Sequence, residues 1–229
     1  MLRKAWKIVL AVVLALLVVV LGYVAYVFID YHCIGDQELT VERNAAATVE
    51  AGKEYSILSY NIGFGAYEDD YSFFMDGGTE SWAWSEERLL QNLDEIGAVI
   101  ESLDSDITLL QEVDFDSTRT YHVNEADLLR NYHGLEADTD SVFAVNYDSP
   151  FLFYPFVRPH GASRSGLLTV SSLTVESALR RSLPVETGFT KLLDLDRCYS
   201  VTRIPVDNGK TLCLYDLHLS AYTSDGKIA

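Results

Sequence analysis

Cysteine and positive charge are what this sequence has least of. Three of its 229 residues are cysteine: Cys33, Cys198 and Cys213. Cys198 and Cys213 flank Asp207-Asn208-Gly209-Lys210, where Asn-Gly is a strong hairpin signal. With Asn208 and Gly209 as the two turn residues, Cys213 faces Ile204 rather than Cys198. The two sulfurs then lie ~20 Å apart along the ladder, too far to bridge. No Cys/His spacing matches a zinc site. The cysteines read as packing residues, with Cys33 open to lipidation or pairing just past the apolar N-terminus. The chain also lacks an Asn-x-Ser/Thr sequon, an internal repeat and any low-complexity segment.

Seventeen Lys+Arg stand against 34 Asp+Glu, a formal net charge of -17. Arg3, Lys4 and Lys7 are the cations before position 29, and no acid lies there. Taking those three from 17 leaves 14 bases against 34 acids, or -20. Such a surface argues against a large nucleic-acid footprint, unless a bound divalent cation or a local basic groove reverses it.

What the sequence has in plenty is apolar residues, 48% of the chain. That is enough for one sizeable core, or part of a larger one. Residues 8–29 carry no charge and almost no polar group, and at about 1.5 Å per residue they span a ~30 Å hydrocarbon layer. A cleaved signal peptide has a shorter apolar region, ~7–15 residues, ending in a small-x-small site. Here the run continues through Tyr23, Tyr26 and Phe28, which suit the far interface. The expectation is an uncleaved signal-anchor: a cytoplasmic tip (1–7), one transmembrane helix (8–29), a polar stalk (30–54) and a domain (55–229). Arg3, Lys4 and Lys7 precede the helix and Asp30, Asp36 and Glu38 follow. The positive-inside bias keeps the N-terminus cytoplasmic and the domain outside, at the cell membrane of what reads as a bacterium.

Within the domain, Tyr55 to Ile62 reads as a strand. Gly63 to Trp84 reads as a long irregular loop rich in Gly, Asp and aromatics, a kind that is often functional. Ser85 caps a helix with Glu86 and Glu87 in its first turn. Leu89, Leu93, Ile96, Ile100 and Leu103 form that helix's apolar stripe. "ITLLQEVD", Ile107 to Asp114, follows as a strand, and Glu125 to Tyr132 as a short helix. Strands are expected over 141–147 and 166–173, then a hairpin of 197–206 with 211–219. Helix–strand alternation followed by hairpins argues for a mixed α/β sheet.

Three of these strands end in chemistry. "ITLLQEVD" looks fully buried, yet it carries Glu112 near its end. A carboxylate at that depth must be paired, hydrogen-bonded or bound to metal. Asn61 ends the first strand and His218 the last. The carboxyl ends of strands in α/β sheets are where ligands sit. An oxygen ligand, an orienting amide and a donor to an anion would suit Mg²⁺ with a phosphate ester. Each residue also has a plainer reading. Asn61 can end a turn, Glu112 can pair with a surface Arg, and His218 can be a satisfied core histidine.

Tyr60-Asn61-Ile62-Gly63, Leu110-Gln111-Glu112-Val113-Asp114, Ser165 to Ser171 ("SGLLTVS") and Asp216-Leu217-His218-Leu219-Ser220 stand in one order. Together they resemble the endonuclease/exonuclease/phosphatase superfamily, over about Tyr55 to Tyr222. That group holds deoxyribonucleases, abasic-site endonucleases, inositol polyphosphate 5-phosphatases and neutral sphingomyelinases. The resemblance implies a DNase-I-like four-layer α-β-β-α sandwich, here its N-terminal part. It also implies phosphoester hydrolysis dependent on Mg²⁺ (or Mn²⁺). Glu112 would bind the metal. Asn61 would help hold metal, water or phosphate. His218 would contact the scissile phosphate or assist the leaving group. Arg119 and Tyr121, in a loop after the Gln-Glu strand, would bind phosphate or lie on the solvated surface.

The family's later motifs, Gly-Asp-x-Asn and Ser-Asp-His, are absent. Asp207-Asn208 sits in the hairpin turn and Ser224-Asp225-Gly226 lies at the chain end, so neither substitutes. The expectation is a truncated chain, catalytically inert as it stands and poorly stable, from a parent that is a membrane-anchored hydrolase. Its substrate would be a lipid headgroup, nucleotide or nucleic acid; nothing requires a protein partner. The aromatic loop 64–84 and the patch Phe151–Phe156 read either as substrate or bilayer contacts or as covers over the sandwich. The alternative function is an inactive family member serving as a cell-surface binding module.

Overall fold

The structure is a computed structural model describing residues 2–31, 33–131, 138–184 and 197–219. The chain divides after Cys33 into two units. The first is helix α1, Leu2–Asp30. Its 28-residue stretch Arg3–Asp30 is long and apolar enough to cross a membrane, a description that a signal sequence also meets.

The second unit holds nine strands among its described residues: β1 (Gln37–Leu39), β2 (Val41–Glu42), β3 (Ile57–Asn61), β4 (Ile107–Asp114), β5 (Asp140–Leu152), β6 (Gly161–Ser171), β7 (Ser177–Ser182), β8 (Cys198–Pro205) and β9 (Thr211–Leu217). They form a five-stranded sheet, β2-β5-β6-β4-β3, and a four-stranded sheet, β1-β7-β8-β9. Helices α2 (Glu86–Leu103) and α3 (Glu125–Asn131) belong to the same unit. β3 and β4 are parallel and every other ladder is antiparallel.

Side-chain alternation along β4 divides the core in two. Leu110 joins Leu89, Leu93, Ile96 and Ile100 of α2 and Leu129 of α3 on one face. Ile107 and Leu109 point the other way and meet Ala178, Ile204 and Leu214 of the second sheet. β4 is thus covered on both sides, which is why it reads as a near-continuous apolar run. The layers are helices, sheet, sheet. Among the described residues no helix covers the outer face of β9, where Tyr215 and Leu217 stay exposed. β9 is also an edge of its sheet.

Ser85 caps α2 as expected, its Oγ accepting from the Arg88 N–H at 3.1 Å. Leu103 departs from the expected stripe and is exposed. The 64–84 loop is largely a cover: Phe64, Tyr71 and Phe73 are buried against α2.

Two expectations are corrected. Residues 30–54 are not a free stalk beyond Cys33, because β1 pairs with β7 and β2 with β5. Buried Asp140 holds the segment, its Oδ1 accepting from the N–H groups of Asn44 and Ala45 and its Oδ2 from that of Val175. Val49 enters the inter-sheet core. The segment's polar composition is that of short edge strands, with one side in water. The hairpin register is also shifted by one: Cys213 faces Arg203, and Leu212 faces Ile204. The loop has three residues, Asp207-Asn208-Gly209, closed by Val206 N–H to Lys210 O at 2.8 Å. Gly209 takes φ +80°, as a bulge after a tight turn requires. None of Cys33, Cys198 and Cys213 forms a disulfide among the described residues.

One buried pair joins the sheets. Gln111 Nε2 of β4 donates to Asp216 Oδ1 of β9 at 2.7 Å, while Asp216 Oδ2 is buried with no partner among the described residues. Burial raises the Asp216 carboxyl from 3.8 to about 7, against the pull of the Gln111 and Leu217 hydrogen bonds. A raised carboxyl binds its proton more tightly in the folded state. Stability is therefore full below pH ~4, falls as pH rises towards 7, and levels off above. Asp216→Asn keeps the acceptor and removes the charge. In urea titrations it should gain roughly 2 kcal/mol over wild type at pH 8 and almost nothing at pH 4.

Candidate active site

β4 and β6 pair in register from Ile107↔Ser171 to Leu110↔Leu168, then resume one residue out of step at Val113↔Gly166. Gln111 and Glu112 together oppose Leu167, which is a β-bulge. Glu112 has φ +55°, a conformation costing about 1–3 kcal/mol for a residue other than glycine. It persists because both flanks are tied. Gln111 O accepts from the Ile62 N–H at 3.0 Å, and the Asp114 N–H donates to Glu125 Oε2 at 2.8 Å.

The bulge brings Glu112 to residues from two other strand ends. Asn61, at the end of β3, donates from Nδ2 to Glu112 Oε1 at 2.9 Å. Asn61 Oδ1 in turn accepts from the Gly63 N–H. His218, just past β9 on the other sheet, places Nε2 3.2 Å from the same Oε1. The Glu112 side chain is 27% exposed and that of His218 18%, so the pair is open to a ligand. Burial works against ionisation of Glu112, but the His218 and Asn61 hydrogen bonds outweigh it and hold the carboxyl at about 2. Glu112 is an anion throughout the neutral range. Asn61, Glu112 and His218 therefore meet, although they lie on three strands of two sheets.

A fourth residue was not visible in the sequence. Asn146 is buried, and its Nδ2 lies 3.2 Å from His218 Nδ1. An amide NH₂ only donates, so Nδ1 accepts and the ring proton sits on Nε2, facing Glu112. Asn146 is the extra residue of a second bulge, between Val145↔Gly166 and Tyr147↔Ser165. The two bulges flank the same stretch of β6. A Cβ on Gly166 would lie 2.4 Å from Ala144 O, so only glycine fits there. In sequence, Asn146 is one polar residue within an alternating strand, and no local signal marks it.

Arg119 and Tyr121 take other places. The Arg119 side chain is 8% exposed, its Nε and Nη2 forked onto the two oxygens of Asp114 at 2.9 and 2.8 Å. The guanidinium lies 3.7 Å from the Phe64 ring centroid. Burial works against its charge, but Asp114 raises the guanidinium above its ordinary value. Glu125 is pushed well above 4.5 by burial and by the Asp114 charge. Tyr121 donates to Ala83 O at 3.0 Å and accepts from Arg158 at 2.7 Å. The two residues hold the ground beneath the bulge rather than face the cavity. Asp207 is engaged in its loop, accepting from the Ala51 N–H; Ser220, Ala221, Tyr222 and Ser224 to Gly226 lie outside the described residues.

A cavity of about 740 Å³ adjoins the group, with Asn61, Glu112, Tyr60, Tyr67, Glu68 and Glu95 in its wall. Among the described residues its lining has four carboxylates, counting Asp76, and no basic side chain.

Removing one partner of a buried ion pair leaves the other charge uncompensated. Arg119→Met should therefore lose about 3–5 kcal/mol in urea titrations. Arg119→Lys, which keeps the charge without the fork, should lose clearly less.

No family model matches the chain, and no curated protein matches its sequence. Solved structures do. An endonuclease/exonuclease/phosphatase from Beutenbergia cavernae is similar at 17% identity and TM-score 0.49, over 73% of this chain and 38% of that one. An endonuclease/exonuclease/phosphatase family protein from Leptotrichia buccalis is similar at 16% identity and TM-score 0.44, over 73% and 54%. ANGEL2, a 2′,3′-cyclic phosphatase, is similar at 14% identity and TM-score 0.42, over 84% and 53%. The chain thus spans between 38% and 54% of the lengths of these structures.

Proposed function

We propose that the chain is part of a membrane-anchored, divalent-metal-dependent phosphoester hydrolase of the endonuclease/exonuclease/phosphatase superfamily, acting outside the cytoplasm. The observation that carries this reading is Glu112, an ionised carboxylate on a strained bulge, held between an amide of one sheet and an imidazole at the end of the other.

Mg²⁺ binds through one or two carboxylates and completes its shell with waters and phosphate oxygens. Glu112 fits that demand: both hydrogen bonds fall on Oε1, and Oε2 keeps lone pairs for a cation. Bound there, Mg²⁺ or Mn²⁺ would neutralise phosphate oxygens and stabilise the charge of the transition state. Asn61 orients the carboxylate. Asn146 keeps the His218 proton on Nε2, where it can donate a hydrogen bond to a phosphate or leaving-group oxygen. The acidic cavity supplies no partner for further phosphates. It favours a single phosphoester next to a neutral or cationic group, as in a lipid headgroup, over long nucleic acid. Helix α1, with Arg3, Lys4 and Lys7 before it and acids after it, acts as the anchor with its N-terminus cytoplasmic.

The test is Mg²⁺-dependent hydrolysis of bis(p-nitrophenyl) phosphate by the protein made from the complete reading frame. Turnover should vanish with EDTA, and Glu112→Gln should lower kcat by about 10²-fold or more. Asn146→Ala should lower kcat roughly 10-fold, with KM little changed. Glu112→Gln with wild-type turnover would refute the reading. Absence of turnover throughout would leave the binding-module alternative.

A further inference from the structure

The segment joining β5 to β6 carries the most exposed apolar side chains of the described domain. Phe153 is 54% exposed, Tyr154 62%, Phe156 83% and Val157 100%. Large aromatic side chains left in water are costly unless something covers them.

Two features separate this tip from a slack loop. Its descending limb is fastened. Ser81 Oγ donates to Arg158 O and Trp82 Nε1 to Pro159 O, both at 2.7 Å. The His160 N–H donates to Tyr154 O at 3.2 Å, and Arg158 stacks over Trp82 at 4.7 Å. Its ascending side is buttressed from within. Phe74 meets Tyr154 with ring centroids 5.8 Å apart, Phe73 meets Phe74 at 5.0 Å and Phe64 meets Phe73 at 5.3 Å. The column ends on Arg119. The tip is therefore held outward by the fold.

Its charge environment is as unusual as its exposure. In a chain with 34 acids, residues 149–175 contain none, while Arg158 and Arg164 lie within them. Arg164 pairs with Asp148 at 3.5 Å, which leaves Arg158 as the base behind the tip. A tip of Phe, Tyr, Pro, Phe and Val backed by an arginine suits an interface of apolar chains under polar headgroups. The same chain carries a helix able to cross a membrane.

We propose that the tip at 153–157 inserts into the surface of a lipid bilayer, giving the domain a second membrane contact; this rests on the reading that α1 holds the chain at a membrane. A single helix leaves a domain free to swing, whereas a second, shallow contact restricts its orientation and multiplies the effective affinity for the surface.

The test uses the full chain in phosphatidylcholine vesicles, with and without brominated acyl chains. A tryptophan placed by Phe156→Trp, at a site exposed enough to leave folding untouched, should shift its emission to the blue and be quenched by bromine. Trp6 in α1, isolated by difference against Trp6→Phe, reports the anchor separately. Leu90→Trp, on an exposed turn of α2, is the control and should stay unquenched. Quenching at both 156 and Trp6 supports the proposal; quenching at 156 alone overturns it as a second contact, because α1 is then not the first. Quenching at Trp6 but not at 156 overturns it and leaves the anchor reading intact; quenching at neither overturns both. A concentration-dependent blue shift at 156 without lipid would assign the tip to a second copy of the chain, and also overturns it.

Discussion

The candidate site depends on one extra residue in β4. Because Gln111 and Glu112 share a single partner on β6, the alternation of the strand breaks between them. Gln111 bonds to Asp216 and Glu112 meets Asn61 and His218, so two neighbouring residues both reach the second sheet at the end of β9. A regular strand would keep the same alternation throughout and could not place both residues so. The positive φ at Glu112 is the local cost, met by hydrogen bonds on both sides of the bulge.

The ground beneath the bulge is equally constrained. Asp114, two residues on, is buried and holds both arms of the Arg119 fork, and Glu125 caps its N–H. Arg119 lies on Phe64, which is packed into the core beneath α2. A charged network at this depth contributes less to net stability than to keeping one arrangement of the loop after β4. Gly166 has a matching role on the other side, since both bulges flank its segment of β6 and no larger residue fits.

The two sheets meet at the site through different means. Asn61 pairs with Gln111 on the adjacent parallel strand, so the bulge has only to turn the next residue, Glu112, to bring it within reach of Asn61. His218 arrives from the second sheet, and its distance to Glu112 is set by sheet-on-sheet packing around Ile107, Leu109, Ile204 and Leu214. Asn146 then fixes the ring. Anything that shifts one sheet over the other moves the imidazole relative to the carboxylate.

Local pattern alone determined a good deal. "ITLLQEVD" has the bounds of β4 to the residue, because a strand buried on both faces is an uninterrupted apolar run. Ser85 and the acids after it mark the start of α2, because a cap satisfies N–H groups within a few residues of itself. The apolar N-terminal run is legible for the same reason. Tertiary structure decided what depends on residues distant in the chain. Residues 37–49 look like a stalk until β7 and Asp140 claim them. The hairpin slips by one because Asp207 joins the turn, its N–H donating to Val49 O. Arg119 is a loop cation in sequence and a buried partner of Asp114 in the fold. Asn146 has no signature at all, since its role exists only where a bulge in β5 meets the end of β9. Propensity and capping act over a few residues and can be read in order; bulges, registers and buried pairs arise from contacts that only the folded chain brings together.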